Sequence, residues 1–317
     1  MKRKTVFIIN PTAGGGKKIK NLTEKLRNMP EENIEVYTTK ASGDATAFVK
    51  RFCEENGGGR FIACGGDGTL NEVLNGISGC ENAEIGIVPI GSGNDFCRVF
   101  HPVTSYADIE GQISGATVSC DAIRFKTETD KGVQTGYCAN MFNIGFDCNV
   151  ADLKNKMEKL SFIPGNLAYI LAIFIMLIRK KGANLKIEVD GEEKYSGKLL
   201  LSSIANGCYC GGGIKSNPRA SVCSGRMNIN IIQNVSRLRF LSLLPHYAKG
   251  RILHVKNIRD IFCNVNCSTA IVTPLDGKMK LCIDGEIKEV GKTEFYIEKN
   301  AFRFILPGKK VKEEITV

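Results

Sequence analysis

Tryptophan is absent from the 317-residue chain, which removes one of the side chains most favoured at binding hot spots. Histidine is scarce, with three copies. None of the 13 cysteines forms a CxxC pair. Cys208/Cys210 and Cys263/Cys267 lack the usual zinc-ligand spacing, so no zinc site is expected. An odd cysteine count argues against a disulfide framework and for a reducing compartment. No apolar run approaches the ~20 residues that span a bilayer. The longest is Leu167–Ile178, which stops at Arg179-Lys180-Lys181 and reads as a buried or an interfacial helix. Lys2, Arg3 and Lys4 lead into only Val6–Ile9 before a polar loop, too short for a secretory leader, so a cytoplasmic protein is expected. No RNP-like aromatic motif, zinc-finger spacing or recognition helix is visible. Nucleic acid is therefore not an expected partner.

What is present is ordinary for a globular chain: 43% hydrophobic and 24% charged residues, enough for about two domains. The net charge of +10 is uneven, with 16 Lys/Arg and 18 Asp/Glu in residues 1–150 against 27 and 15 in the remainder. A basic second half attracts anionic lipid or nucleic acid. A solvated basic face is the plainer alternative.

Thr5–Asn10, Ile34–Thr38, Arg60–Cys64 and Ile85–Val88 read as strands. Lys18–Arg27, a segment from Gly43-Asp44 to about Glu55, and Leu70–Ile77 read as helices between them, with Asn94–Val99 starting another. Strands alternating with helices predict an α/β N-terminal domain with a parallel sheet, and ligands beyond the carboxyl ends of its strands. From Cys120 onward the pattern changes. Leu185–Val189, Leu199–Ala205, Met227–Ile232, Ala270–Val272 and Lys280–Ile283 are apolar or alternating and separated by Asp-Gly and Gly-rich turns. They predict a C-terminal antiparallel β-sandwich domain, with Asp152–Ile178 as a helical insertion. The final strands, Phe295–Ile297 and Arg303–Leu306, suit either domain. We expect domains at 1–120, with a return of about 299–317, and at 121–298.

Three glycine-rich loops fall at the strand ends. Asn10-Pro11-Thr12-Ala13-Gly14-Gly15-Gly16-Lys17 is not a Walker A loop, because Pro11 stands where its first Gly belongs and Lys18 where Ser/Thr belongs. It still offers backbone N–H groups to an anion. Gly65-Gly66-Asp67-Gly68-Thr69-Leu70-Asn71-Glu72 places three glycines around one carboxylate, with Thr69 as a candidate helix cap. A carboxylate beside a phosphate site makes sense when Mg²⁺ lies between them. A tight turn with a capping Asp is the alternative. Gly91-Ser92-Gly93-Asn94-Asp95-Phe96 fails GxGxxG at Phe96 and supplies a second carboxylate. Together the three favour a Mg-nucleotide site.

These loops resemble those of the diacylglycerol kinase catalytic family, including bacterial soluble lipid kinases. The likeness continues through Thr39–Ala45 (TKASGDA), Asn140–Asp147 (NMFNIGFD), Ala205–Gly213 (ANGCYCGGG) and Asp284-Gly285-Glu286, over nearly the whole chain. Gly-Gly-Asp-Gly-Thr alone is shared with NAD kinases. The resemblance implies a NAD-kinase/diacylglycerol-kinase-like fold and an ATP-dependent lipid kinase using Mg. It implies that Asn10, Pro11, Thr39, Gly65, Gly66, Asp67, Gly68, Thr69, Leu70, Asn71, Ser92 and Asn94 hold ATP. Asp67, Asp95 and Asp121 would hold the catalytic Mg²⁺, through water or nucleotide. Glu286, assisted by Asp284, would be the base toward the lipid hydroxyl. Asp-Gly-Glu also occurs at Asp190-Gly191-Glu192; the family's placement selects the second copy. The partner implied is a lipid at the inner membrane face, met peripherally, and a homodimer is compatible. The most direct expectation is phosphorylation of diacylglycerol to phosphatidic acid. An NAD or other small-molecule kinase, or a non-catalytic nucleotide- or lipid-binding protein, are the alternatives.

One position departs from the family pattern. Ser224 stands where relatives carry an Asp that binds a second, structural Mg²⁺. A hydroxyl is a poor substitute for a carboxylate toward Mg²⁺, so a metal at Ser221, Ser224 and Arg226 is expected to be absent or weak.

Overall fold

The computed structural model describes residues 4–14, 17–29, 33–146, 148–150, 152–153 and 182–308. The chain divides into two compact units, Met1–Asp121 with Lys299–Val317, and Ala122–Glu298. The proposed helical insertion and the run Leu167–Ile178 fall outside the described residues, apart from Asp152 and Leu153.

In the first unit, β1 (Thr5–Ile9) is flanked by β2 (Ile34–Thr38) and β3 (Gly59–Gly65), and β3 by β4 (Ala83–Pro89). The last part of β15 (Thr293–Leu306) pairs with β4. The order is β15-β4-β3-β1-β2 and every pairing is parallel. Helix α1 (Lys17–Arg27) follows β1, α2 (Asp44–Asn56) follows β2, and α3 (Asp67–Gly76) follows β3. Strand β1 is buried at every position, which is why it reads as a continuous apolar run rather than an alternating one. Its Phe7 and Ile9 join Ile62, Cys64, Val88 and Ile305 in a core closed by Leu22 and Leu26 of α1.

Arg60 binds this unit across its layers. Its Nε and Nη2 donate to Glu84 Oε2 at 2.9 and 2.7 Å. Its Nη1 donates to the carbonyls of Gln112 and Ile113 in α4 (Ile109–Ser114). Carbonyls in a helix's last turn lack intrahelical donors, so this contact satisfies them.

The second unit is antiparallel, in the order β14-β13-β7-β9-β8-β12-β15. These are β7 (Met141–Gly145), β8 (Ala183–Val189), β9 (Glu192–Ala205), β12 (Thr269–Pro274), β13 (Met279–Ile283), β14 (Glu286–Val290) and the first part of β15. Strand β10 (Met227–Gln233) pairs with β9, and β11 (Phe262–Cys267) with β10. Strands β5 (Ala116–Thr129) and β6 (Gly132–Cys138) form a hairpin. One core gathers Phe142, Ile187, Ile229, Leu281 and Phe295. A second gathers Phe146, Leu200, Ile232 and Phe262 under α5 (Arg237–Ala248).

Several expectations need correction. The two final strands are one, β15, which runs from the second unit into the first. Asn94–Val99 forms only a short 3-10 turn at Cys97–Val99, because Asn94 takes a left-handed conformation, φ 55°, that breaks a helix. Thr69 does not cap α3. The helix begins at Asp67 with Gly66 at its N-cap, so Thr69 sits inside the first turn.

Removing one partner of a buried ion pair strands the other charge, at a cost of about 3–5 kcal/mol. Glu84 keeps Arg303 Nη2 at 3.9 Å from its Oε1, so Arg60→Leu should destabilise the protein in urea unfolding by about 3 kcal/mol, the low end of that range, and Arg60→Leu/Glu84→Leu by less.

Candidate active site

The three glycine-rich loops meet at the carboxyl ends of β1, β3 and β4. Asn10 Nδ2 donates to Thr69 Oγ1 at 3.2 Å, joining the first loop to the second. Thr39, at the end of β2, donates through its amide to the Ile9 carbonyl at 2.9 Å. A Cβ on Gly14 would stand 2.3 Å from the Ile90 carbonyl oxygen, and one on Gly91 would stand 2.5 Å from the Gly66 Cα. Side chains never approach so closely. Glycine at these two positions is what lets the loops touch.

Asp67 is the centre of the arrangement. Its Oδ1 accepts the amides of Asp95 at 2.8 Å and Phe96 at 3.1 Å. A Cβ on Gly93 would stand 2.8 Å from Asp67 Oδ2 and 3.2 Å from Asp95 Oδ2, so both carboxylates flank one point. Burial pushes the Asp67 carboxyl above its ordinary range, and the backbone amides only partly oppose this. Two carboxylates in one desolvated place require a proton or a cation. Arg98 supplies part of the countercharge, its Nε 3.7 Å from Asp95 Oδ1. Asn71 Oδ1 and Asn94 Oδ1 are buried acceptors with no hydrogen-bond partner in the structure. This donor set fits a divalent cation with a bound triphosphate. Among the described residues no cluster of three or more His, Cys, Asp or Glu exists, so water or the nucleotide would complete the coordination. Gly65, Gly68 and Leu70 frame this loop, Leu70 buried; Pro11 and Ser92 are exposed.

Asp121 has a different engagement. Its Oδ1 accepts the Asn300 amide at 3.0 Å, where β15 takes a left-handed step at φ 52°. That bond ties Asp121 to β15.

In the second unit, Asp284 and Gly285 form the turn between β13 and β14, at φ 43° and 96°. Asp284 accepts the amides of Ala139, Asn140 and Met141 at 3.1, 3.4 and 3.0 Å. Its carboxylate therefore holds the start of β7, while Glu286 stands exposed at the start of β14. Nearby, Asn140 Oδ1 and Asn143 Oδ1 are buried acceptors without partners. From the sequence alone these two asparagines carry no assigned role. The available signal was Asn143 in the otherwise apolar β7, with Asn140 just before it. The first Asp-Gly-Glu copy is tethered elsewhere: Asp190 Oδ1 accepts the amides of Ser268 and Thr269 at 3.0 and 2.8 Å.

The Ser224 region does not fit Mg²⁺. Ser224 Oγ lies 2.9 Å from the Ser221 carbonyl oxygen and 3.0 Å from that of Arg226. These are hydrogen-bond distances, so the one Ser224 hydroxyl proton is shared between the two carbonyls. The neighbouring charge is a cation, Arg226, whose Nη2 is 3.5 Å from Asp190 Oδ2.

A parallel sheet whose glycine loops enclose paired carboxylates, together with an antiparallel unit carrying a second Asp-Gly-Glu turn, defines a kinase of the NAD-kinase/diacylglycerol-kinase fold. The diacylglycerol kinase catalytic domain family matches residues 4–125, and the YegS C-terminal NAD kinase beta sandwich-like domain matches residues 140–304. A diacylglycerol kinase of Staphylococcus aureus (strain bovine RF122 / ET3-1) is 30% identical over 283 residues, covering 84% of this chain and 86% of its own. One from Staphylococcus saprophyticus is 29% identical, covering 84% and 89%. A Bacillus anthracis diacylglycerol kinase structure superposes with a TM-score of 0.68 at 20% identity, covering 96% and 97%. Yeast NADH kinase complexed with NADH shares the fold at a TM-score of 0.52 and 12% identity, covering 99% and 85%. The chain belongs to the diacylglycerol kinase family.

Two outcomes test this geometry. Asp67→Asn should abolish the thermal stabilisation that Mg·ATP gives the parent. A raised carboxyl pKa weakens the fold as pH rises through it, so Asp67→Asn without ligand should gain stability over the parent at pH 7 and lose that gain near pH 4. At the Ser224 turn, EDTA should leave the melting temperature of the ligand-free parent unchanged. Ser224→Ala should cost about 1 kcal/mol, and Ser224→Asp should acquire a Mg²⁺-dependent rise in melting temperature.

Proposed function

We propose that this protein transfers the γ-phosphoryl group of ATP to the hydroxyl of a lipid, diacylglycerol first among the candidates, giving phosphatidic acid. The observation that carries the reading is the half-buried Asp67 carboxylate, gripped by the third loop's amides and set beside the buried Asp95. Membership in the diacylglycerol kinase family supports the lipid as acceptor, as do the relatives' names.

The first unit takes the nucleotide. Asn10, Thr39, the Gly65–Asn71 loop, Ser92 and Asn94 orient it, and backbone N–H groups at the glycine-rich loops meet its phosphates. Asp67 and Asp95 are the groups that would hold Mg²⁺, which when bound neutralises phosphate charge and helps align the transferred group. The second unit takes the acceptor. An alcohol is a weak nucleophile near neutral pH, and phosphoryl transfer needs its proton removed only as the new bond forms. With the Asp284 carboxylate holding three amides, Glu286 is the carboxylate we assign to accept that proton. Asp284 positions it by fixing the turn. Asn140 and Asn143 offer acceptors to the donors of the lipid's polar end. The lipid is met peripherally at the inner face of the membrane; among the described residues no helix is long and apolar enough to cross one.

The test is labelled ATP and Mg²⁺ with a total lipid extract, followed by identification of the labelled product. Label in phosphatidic acid is expected. Glu286→Gln should lower turnover by about 10²-fold or more with nucleotide binding retained, and full turnover in that variant removes Glu286 from the mechanism. Label in a water-soluble acceptor and none in lipid establishes the small-molecule kinase instead.

A further inference from the structure

Helix α5 has two apolar faces. Phe240, Leu243 and Tyr247 recur at helical spacing and are buried in the second unit's core. At about 100° per residue, Leu238 and Leu241 project from the opposite side. They are the first and second leucines of the helix, and they are 81% and 43% exposed. Pro245, one turn on, is also exposed. A surface helix ordinarily presents polar side chains there, so leucine at 81% exposure calls for a reason. The flanks are cationic: Arg237 and Arg239 bracket Leu238, and Lys249 follows the helix, all exposed. The setting is wider than the helix. Between Glu193 and Asp260 the chain has no Asp or Glu, and it carries 11 Lys/Arg.

We propose that α5 is a docking surface for an anionic lipid membrane, with Leu238 and Leu241 entering the acyl boundary and Arg237, Arg239 and Lys249 meeting lipid phosphates. The charge pattern is complementary to an anionic headgroup layer, and the leucines gain by leaving water there. A nucleic-acid backbone would use the arginines but gives the leucines nothing. This surface presupposes the lipid-kinase reading only in explaining why the protein visits a membrane; the binding itself is measured without catalysis.

Because the chain has no tryptophan, Leu238→Trp makes a single fluorescent reporter at an exposed position. The full chain carrying it should show a blue-shifted emission with vesicles of mixed phosphatidylglycerol and phosphatidylcholine, and none with phosphatidylcholine alone. In co-sedimentation, Leu238→Ser/Leu241→Ser should weaken partitioning to the anionic vesicles by about tenfold or more, with an unchanged melting temperature. Arg237→Gln/Arg239→Gln should weaken it and flatten its salt dependence. The proposal is overturned by no blue shift, by a leucine double variant that partitions like the parent, by loss of a dimer as the variant's main effect, or by RNA binding that needs the arginines alone. Docking without any lipid phosphorylation would overturn the proposed function and uphold this surface. Phosphorylation of detergent-dispersed lipid with no blue shift would overturn this surface alone.

Discussion

The grip of two backbone amides on one half-buried carboxylate organises the glycine-loop end of the first unit. Asp67 opens α3, yet its Oδ1 is held by Asp95 and Phe96 from the next loop. That bond is possible only where the loops approach to backbone distance, and the tight positions are glycine: Gly91 against Gly66, and Gly93 against the two carboxylates. A helix N-terminus favours a negative charge, while burial raises the cost of ionising it. The site thus carries a deficit of positive charge that Arg98 does not remove alone, and this deficit makes the place suitable for a cation bound with a polyanion.

This part of the molecule was legible in the sequence because glycine and a lone Asp leave few other physical explanations. Apolar runs of β-formers also gave β1 to β4 and most of the second unit's sheet. Local pattern misleads where tertiary partners override it. Asn228 and Asn230 alternate with isoleucines and look like the wet side of a half-exposed strand, yet both are buried. Asn264 Nδ2 bonds their Oδ1 atoms at 2.9 and 2.6 Å, so their polarity is satisfied within the sheet. Helix α5 escaped because Pro245 lies within it and apolar residues occupy both its faces, which blurs a 3.6-residue period. Thr69 was misplaced because a helix cap and a first-turn threonine look alike until Asn10, far away in sequence, claims the hydroxyl.

The two Asp-Gly-Glu copies show the same limit from the other direction. Both form hairpin turns of one kind, Asp190-Gly191 at φ 48° and 85° and Asp284-Gly285 at 43° and 96°. Local sequence therefore cannot separate them. Their long-range bonds do. Asp190 holds Ser268 and Thr269, whereas Asp284 holds Ala139 to Met141, beside the partnerless acceptors of Asn140 and Asn143. The second copy is coupled to buried polar atoms that still need donors, which a polar headgroup can supply. The first is coupled to strand ends and to Arg226.

Asp190 also bears on the 221–226 turn. A metal would join the carbonyls of Ser221 and Arg226 by charge. Here a neutral hydroxyl at Ser224 joins them, and the charged groups close by, Arg226 and Asp190, face each other instead. Hydrogen bonds to Ser268 and Thr269 add to the arginine's influence and, against the cost of partial burial, keep the Asp190 carboxyl below its ordinary range. Such bonds need no ligand concentration to form, whereas a metal-tied loop is as closed as its cation is abundant. The closure of this turn is therefore carried by hydrogen bonds within the chain itself.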